Sequence, residues 1–287
     1  MFFFDSFSFA PFAAIIFPMK HHLITGAASG FGFGLARTLL ARGDSVMACD
    51  INTAPMEQLR AFAGMPAQLA VRQLDVRDPA QWEQAMQAAV QLWPRIDTVM
   101  NVAGVLRPDF IADIKPADID LTFDVNTKGA IFGTQSAFRA MHNQADEDGR
   151  GHIINLASMA GIAPVPGMSI YTASKFALRG YSFAVAHELK KYSISITVIC
   201  PSGADTPLVE PYKHKDQAAL IFIAPLLTTE EVVRAVVDRA LVKRPVEITL
   251  PRARGLLAKA AGSFPGLAQR LAASMTRTGL RNQAKLK

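Results

Sequence analysis

Residues 21–50 read HHLITGAASGFGFGLARTLLARGDSVMACD, and their reading decides the fold. HHLIT is a short apolar run of strand character. It is followed by a tight loop, Gly26-Ala-Ala-Ser29-Gly30-Phe31-Gly32, and then by the apolar helical pattern GLARTLLARG. A second apolar run, SVMACD, closes on Asp50. Glycines let such a turn tighten and let the backbone approach a pyrophosphate, which sits at the positive end of the helix that follows. A Gly-rich loop alone is a weak signal. Strand, loop, helix and second strand in this order, with an acid at its end, are the context that a dinucleotide site requires. Asp50 would accept hydrogen bonds from the adenosine ribose hydroxyls and repel a 2′-phosphate. No arginine follows it to compensate, so NAD is expected rather than NADP.

The rest of the chain continues the alternation. A third strand, QLAVRQLDV, is expected to end at Asp75 and Val76, beside the adenine edge, and a fourth, IDTVMNVAG, in Asn101-Val102-Ala103-Gly104. Helical patterns cover 80–93, 116–142, 169–191 and 229–242, and the runs GHIINLAS, SISITVIC and VEITL supply further strands. Near-continuous apolar strands alternating with helices predict an α/β fold, a doubly wound parallel sheet covered on both faces. Functional residues then belong at the carboxyl ends of the strands. Residues 204–227 read as a long loop, charged early and apolar late, of a length common in lids.

The stretch SMAGIAPVPGMSIYTASK, residues 158–175, carries the chemistry. Tyr171 and Lys175 are one helical turn apart and share a face. An unperturbed tyrosine, with a pKa of about 10, is a poor base near neutrality. An ammonium beside it favours the phenolate. Ser158 lies at the end of its strand, across a Gly/Pro-rich loop that can return its hydroxyl to the same spot. Three such groups converging on one oxygen form an arrangement for moving a proton on or off an alcohol or carbonyl. Asn126 lies in the middle of a helical pattern, where asparagine is an indifferent helix former; its bland reading is a surface polar residue.

Half of the 287 residues are hydrophobic and 19% are charged, which excludes a disordered chain and provides for a large core. Cys49 and Cys200 end apolar runs and read as small buried residues in a reducing cytoplasm, not as a disulfide framework. No metal-ligand spacing is present. After Glu247 no acidic residue occurs, and eight Lys/Arg leave the preceding chain at −2 within the total of +6. The basic tail, 251–287, carries Leu256, Leu257, Phe264, Leu267, Leu271 and Met275. It reads either as an amphipathic membrane-surface helix or as a helix packed on the body with a solvated basic face. Nucleic acid is not expected, because no binding motif accompanies the charge. Residues 1–18 are largely apolar, interrupted by Asp5 and Pro11, and too short to span a bilayer; the first positive charge, Lys20, follows the apolar run. They read either as a weak anchor or as residues preceding a true start at Met19.

Taken together, Thr25-Gly26-x-x-x-Gly30-x-Gly32, Asn101-x-Ala103-Gly104, Asn126, Ser158, Tyr171-x-x-x-Lys175 and Pro201-x-Gly203 with Thr206 make the chain, from about residue 20 to 250, resemble a classical short-chain dehydrogenase/reductase. The resemblance implies a single catalytic domain over 19–250 with a seven-stranded parallel sheet, assembled as a homodimer or homotetramer. It implies Tyr171 as general acid/base and Ser158 as the group orienting the substrate oxygen. Lys175 would lower the tyrosine pKa and hold the nicotinamide ribose, Asn126 would support a proton-relay water, and Thr206 would contact the carboxamide. Val102 stands where a second asparagine is common. Met159, Ile162, Val165, Met168 and the apolar half of 204–227 suggest a lipophilic secondary alcohol or ketone, with peripheral membrane contact through the termini. A dinucleotide-sensing protein, a membrane scaffold and a reductase of small polar carbonyls are the alternatives.

Overall fold

The computed structural model describes residues 19–145 and 149–285; the expectation for residues 1–18 lies outside the described residues. Seven parallel strands form one sheet in the order β3-β2-β1-β4-β5-β6-β7. They are β1 His21–Thr25, β2 Ser45–Asp50, β3 Leu69–Gln73, β4 Thr98–Asn101, β5 Gly151–Leu156, β6 Ile194–Pro201 and β7 Glu247–Leu250. The order reverses at β1, where the chain passes to β2 on one side and β4 pairs on the other. That reversal opens the crevice in which open α/β sheets place their ligands.

Helices cover both faces, as the buried strand pattern requires. On one face lie α1 (Gly30–Ala41) and α6 (Thr229–Ala235). Leu35, Leu39 and Val233 from these helices, and Val237 just after α6, pack with Ile24, Val46, Met100 and Ile199 of the sheet. On the other lie α2 (Pro79–Leu92), α4 (Ala130–Met141) and α5 (Ser169–Lys190), whose Trp82, Met141 and Leu189 meet Leu23, Val99 and Ile196. Trp82 is fully buried and its indole N–H donates to the Val76 carbonyl at 3.1 Å. A buried indole needs such a partner. The long helix expected over 116–142 is interrupted: α3 (Pro116–Phe123) passes through a π-helical turn, Asp124–Gly129, before α4 resumes. Widened turns of this kind place one side chain out of helical register and recur at functional sites. A second π-helical turn, Val236–Ala240, joins α6 to the short α7 (Leu241–Lys243).

β3 and β4 end earlier than their apolar runs. β3 stops at Gln73, so Asp75 and Val76 lie in the loop after it, and β4 stops at Asn101. Asp75 pairs with a guanidinium instead of continuing the ladder. Within 204–227, short 3-10 turns form at Glu210–Tyr212 and Asp216–Phe222. The tail is two helices, α8 (Arg252–Ser263) and α9 (Pro265–Ala284). Pro265 breaks the run because its ring prevents helical continuation and suits the first position of the next helix. α9 packs on the 216–222 turn, and Arg270, Arg277 and Arg281 stay exposed. No helix among the described residues is long and apolar enough to cross a membrane.

Candidate active site

A cavity of about 960 Å³ runs along the carboxyl ends of the strands. At one end stands the loop after β1. Gly26 has φ of +69° and lies where a Cβ would come 2.9 Å from the Ala103 backbone. A Cβ on Gly32 would overlap the Gly26 carbonyl oxygen. Only glycine permits this double approach of α1 to the loop and of the loop to β4. The Thr25 hydroxyl locks the same junction, accepting from the Val102 and Ala103 amides at 3.1 and 3.2 Å. Ser29 makes no side-chain cap and the first turn of α1 holds no acid, so the positive helix end faces the cavity beside Gly30, Phe31 and Gly32. This cradle fits the pyrophosphate of a dinucleotide.

Asp50 ends β2 with one carboxylate oxygen 3.1 Å from the Ala28 amide and the other 3.1 Å from the Asn52 amide, and it lines the cavity. Asp75 and Val76 line it further along. The Arg77 guanidinium grips the Asp75 carboxylate at 2.6–3.0 Å and holds its pKa below the usual range. Asn101 is buried and does not line the cavity; its amide donates to Asn155 Oδ1 at 2.8 Å and ties β4 to β5. Ala103, Gly104, Pro201 and Thr206 all reach the cavity wall.

Ser158, Tyr171 and Lys175 converge at the centre. The Ser158 hydroxyl caps the turn Met159–Gly161, accepting from the Ala160 amide at 3.1 Å, and lines the cavity with Tyr171. Lys175 is 4% exposed, its ammonium donating to the Leu156 carbonyl at 2.9 Å and lying 5.6 Å from the Tyr171 ring centre. Burial brings Lys175 down to about 8. The expected depression of Tyr171 by this lysine is reversed: burial pushes the phenol up to about 12, against the lowering influence of the Ser158 hydroxyl. In an apolar wall the cost of creating a phenolate outweighs that help. A phenol in this state is a proton donor near neutrality.

Asn126 is not a surface residue. It is 1% exposed, carried inward by the π-helical turn. Its carboxamide oxygen accepts from the Val105 amide at 2.8 Å, and its nitrogen donates to the Val105 carbonyl at 2.9 Å and to Ser174 Oγ at 3.2 Å. A Cβ on Gly104 would lie 3.2 Å from the Asn126 oxygen and 3.7 Å from the Lys175 ammonium, so both side chains border one small space. The sequence reading missed Leu106, Val209 and Arg254 in the cavity wall, and did not place Leu257, Phe264 and Met275 there. Their signal was the apolar residues of the basic tail, which fit an outer surface equally well. Among the described residues no cluster suited to a metal ion occurs.

Fold and site together define an oxidoreductase of Rossmann type. The family model for short chain dehydrogenases matches residues 20–217, and the chain belongs to the short-chain dehydrogenase/reductase family. It is 32% identical over 205 residues to the 3-oxoacyl-[acyl-carrier-protein] reductase FabG of Thermotoga maritima, covering 71% of this chain and 82% of the relative. A 3-alpha-(or 20-beta)-hydroxysteroid dehydrogenase of Mycobacterium bovis is 34% identical over 192 residues, covering 67% and 71%. A short-chain dehydrogenase/reductase of Burkholderia phymatum, solved in complex with NAD, superposes with a TM-score of 0.75 at 24% identity, covering 87% of this chain and 95% of that one.

Proposed function

We propose that this protein interconverts a lipophilic secondary alcohol and its ketone with NAD as the partner, Tyr171 acting as general acid/base. The observation that carries this reading is the convergence of Ser158, Tyr171 and Lys175, its ammonium 5.6 Å from the Tyr171 ring centre, on one largely apolar cavity that also borders the glycine cradle. A bound nicotinamide supplies or accepts the hydride. The protein's own groups manage the oxygen: Ser158 orients it, and Tyr171 donates its proton as a carbonyl becomes a hydroxyl, or takes it in the reverse direction. Lys175 holds positive charge close to the phenol, and Asn126 keeps Val105, in the loop after β4, and Ser174 fixed beside it.

NAD is preferred because the Asp50 carboxylate sits where a 2′-phosphate would be repelled, while the nearby Arg77 guanidinium is already engaged by Asp75. Tyr171 packs against the apolar cluster of Leu106, Met168, Val209 and Phe222, which favours an apolar substrate body. Exposed Ala173, Phe176, Ala177, Gly180 and Ala184 make one stripe along α5, a surface suited to a homodimer or homotetramer. The basic helices of the tail offer peripheral contact with a membrane, in an otherwise cytoplasmic enzyme. The test is initial NADH formation across a chain-length series of secondary alcohols, with Tyr171→Phe alongside. Activity should rise with apolar size, and the variant should lose about 10²–10⁴-fold, the usual contribution of general acid–base catalysis. A variant within a few-fold of wild type sinks the assignment.

A further inference from the structure

The C-terminal hairpin lies outside the family match, which ends at residue 217, yet it reaches the substrate cavity. Leu257 and Ala261 of α8, Phe264 at the α8–α9 corner and Met275 of α9 line the same cavity as Val105 and Leu106. Leu257 is 71%, Phe264 65% and Met275 40% exposed, so these same side chains also form the rim. Residues that are at once wall and rim mark where a cavity opens.

The hairpin is fastened to the lid at four points. Asn282 donates from its amide nitrogen to the Phe222 carbonyl at 2.8 Å, and Gln283 to the Lys215 carbonyl at 3.0 Å. Between them Gly279 lies so close to the 216–222 turn that a Cβ would overlap the Ala219 carbonyl oxygen. On α8, Arg254 donates to Ser202 Oγ and to the Pro225 carbonyl, both at 3.3 Å, and so spans the two ends of the lid. Two contacts join the hairpin to the catalytic elements. A Cβ on Gly262 would overlap the Ile162 carbonyl oxygen, in the loop after Ser158. Lys259 pairs with Glu247, which also holds Arg179 of the Tyr171 helix at 2.6 Å. Glycine at positions 262 and 279 permits helix-to-backbone contact that any larger residue would prevent.

We propose that α8–α9 is a cap clasped to the lid, that it forms the outer wall of the substrate cavity, and that Phe264 is the gate setting the upper length of the substrate. This rests on the oxidoreductase reading above. It assigns specificity for long apolar bodies to residues outside the catalytic core. A short alcohol needs only the inner wall around Tyr171, whereas a long one also needs the outer wall.

The clasp is loosened with Asn282→Ala, and more strongly with Gly279→Val; the gate is widened with Phe264→Ala. Folding is checked by the far-UV circular dichroism spectrum and the cooperativity of urea unfolding. Both clasp variants should speed amide exchange of residues 216–222 by about tenfold or more. They should raise KM for 2-nonanol by a similar factor while leaving KM for 2-butanol within about twofold. Phe264→Ala should shift the preferred alcohol to a longer chain. Unchanged exchange at 216–222 in both clasp variants overturns the clasp. Equal changes in KM for the short and long alcohols overturn the outer wall. If the wild type oxidises no alcohol, the proposed reaction fails; the cap is then read from binding of the apolar dye N-phenyl-1-naphthylamine. Dye affinity should fall about tenfold in the clasp variants, and an unchanged affinity overturns the proposal.

Discussion

Replacing His152 should flatten the acid side of the stability profile. His152 lies on β5, the strand that delivers Ser158, and is 1% exposed. Its Nε2 is 2.8 Å from Thr197 Oγ1 on β6, and Thr197 gives its single hydroxyl proton to the Pro245 carbonyl at 2.6 Å. The histidine must therefore donate through Nε2, which leaves Nδ1 bare; that nitrogen is buried without a hydrogen-bond partner among the described residues. Burial, helped by the charges of Arg244 and His22, brings its pKa down to about 3. In the unfolded chain it returns to about 6.5. The sign follows from linkage: the unfolded state binds the extra proton first, so the contribution is intact above pH ~6.5 and is lost as pH falls toward ~3. Over the full interval that is on the order of 5 kcal/mol, and about 2.5 kcal/mol of it is lost between about pH 7 and about pH 4.5. Asp97 does not confuse that window. Against the upward push of burial, hydrogen bonds from His21 and the charges of Arg95 and Lys20 hold it at about 2, so its contribution fades only below its unfolded value of 3.8. The assay is urea unfolding of wild type and His152→Leu at both pH values. The variant should lose about 2.5 kcal/mol less than wild type between them. Parallel losses would refute the reasoning, whatever the stability of the variant at neutral pH.

Asp50→Ser should weaken NAD about tenfold and narrow the preference over NADP, measured as the ratio of kcat/KM for the two cofactors, because it removes both the ribose acceptor and the repulsion; an unchanged ratio places the discrimination elsewhere. Asn126→Leu should cost about 2–4 kcal/mol in thermal or urea unfolding, since it strips partners from the Val105 amide and carbonyl and from Ser174. Its kcat should fall more than its KM rises, and wild-type stability in this variant would contradict the clamp.

Much of the fold was legible because its signals are local. Apolar runs punctuated by glycine loops name the strands, and the loop at 26–32 needs only its own residues to raise the expectation of an anion site. The seven-stranded parallel sheet expected from this pattern and from the family resemblance is the one found. Local pattern also names Tyr171 and Lys175 as neighbours, because one helical turn fixes their spacing.

What the sequence could not settle depends on partners far along the chain. The state of Tyr171 is decided by burial beneath Leu106, Val209 and Phe222, elements 38–65 residues away in sequence, and not by the lysine one turn below it. Asn126 turns inward only because the helix widens there and Val105 offers both backbone groups. The tail illustrates the limit most clearly. Its composition shows an apolar side and a basic side but cannot say what the apolar side covers, since water exclusion is non-directional and any apolar surface would serve. Only the folded chain, with Gly279 against the Ala219 carbonyl and Phe264 at the cavity rim, turns that tail into a wall of the site.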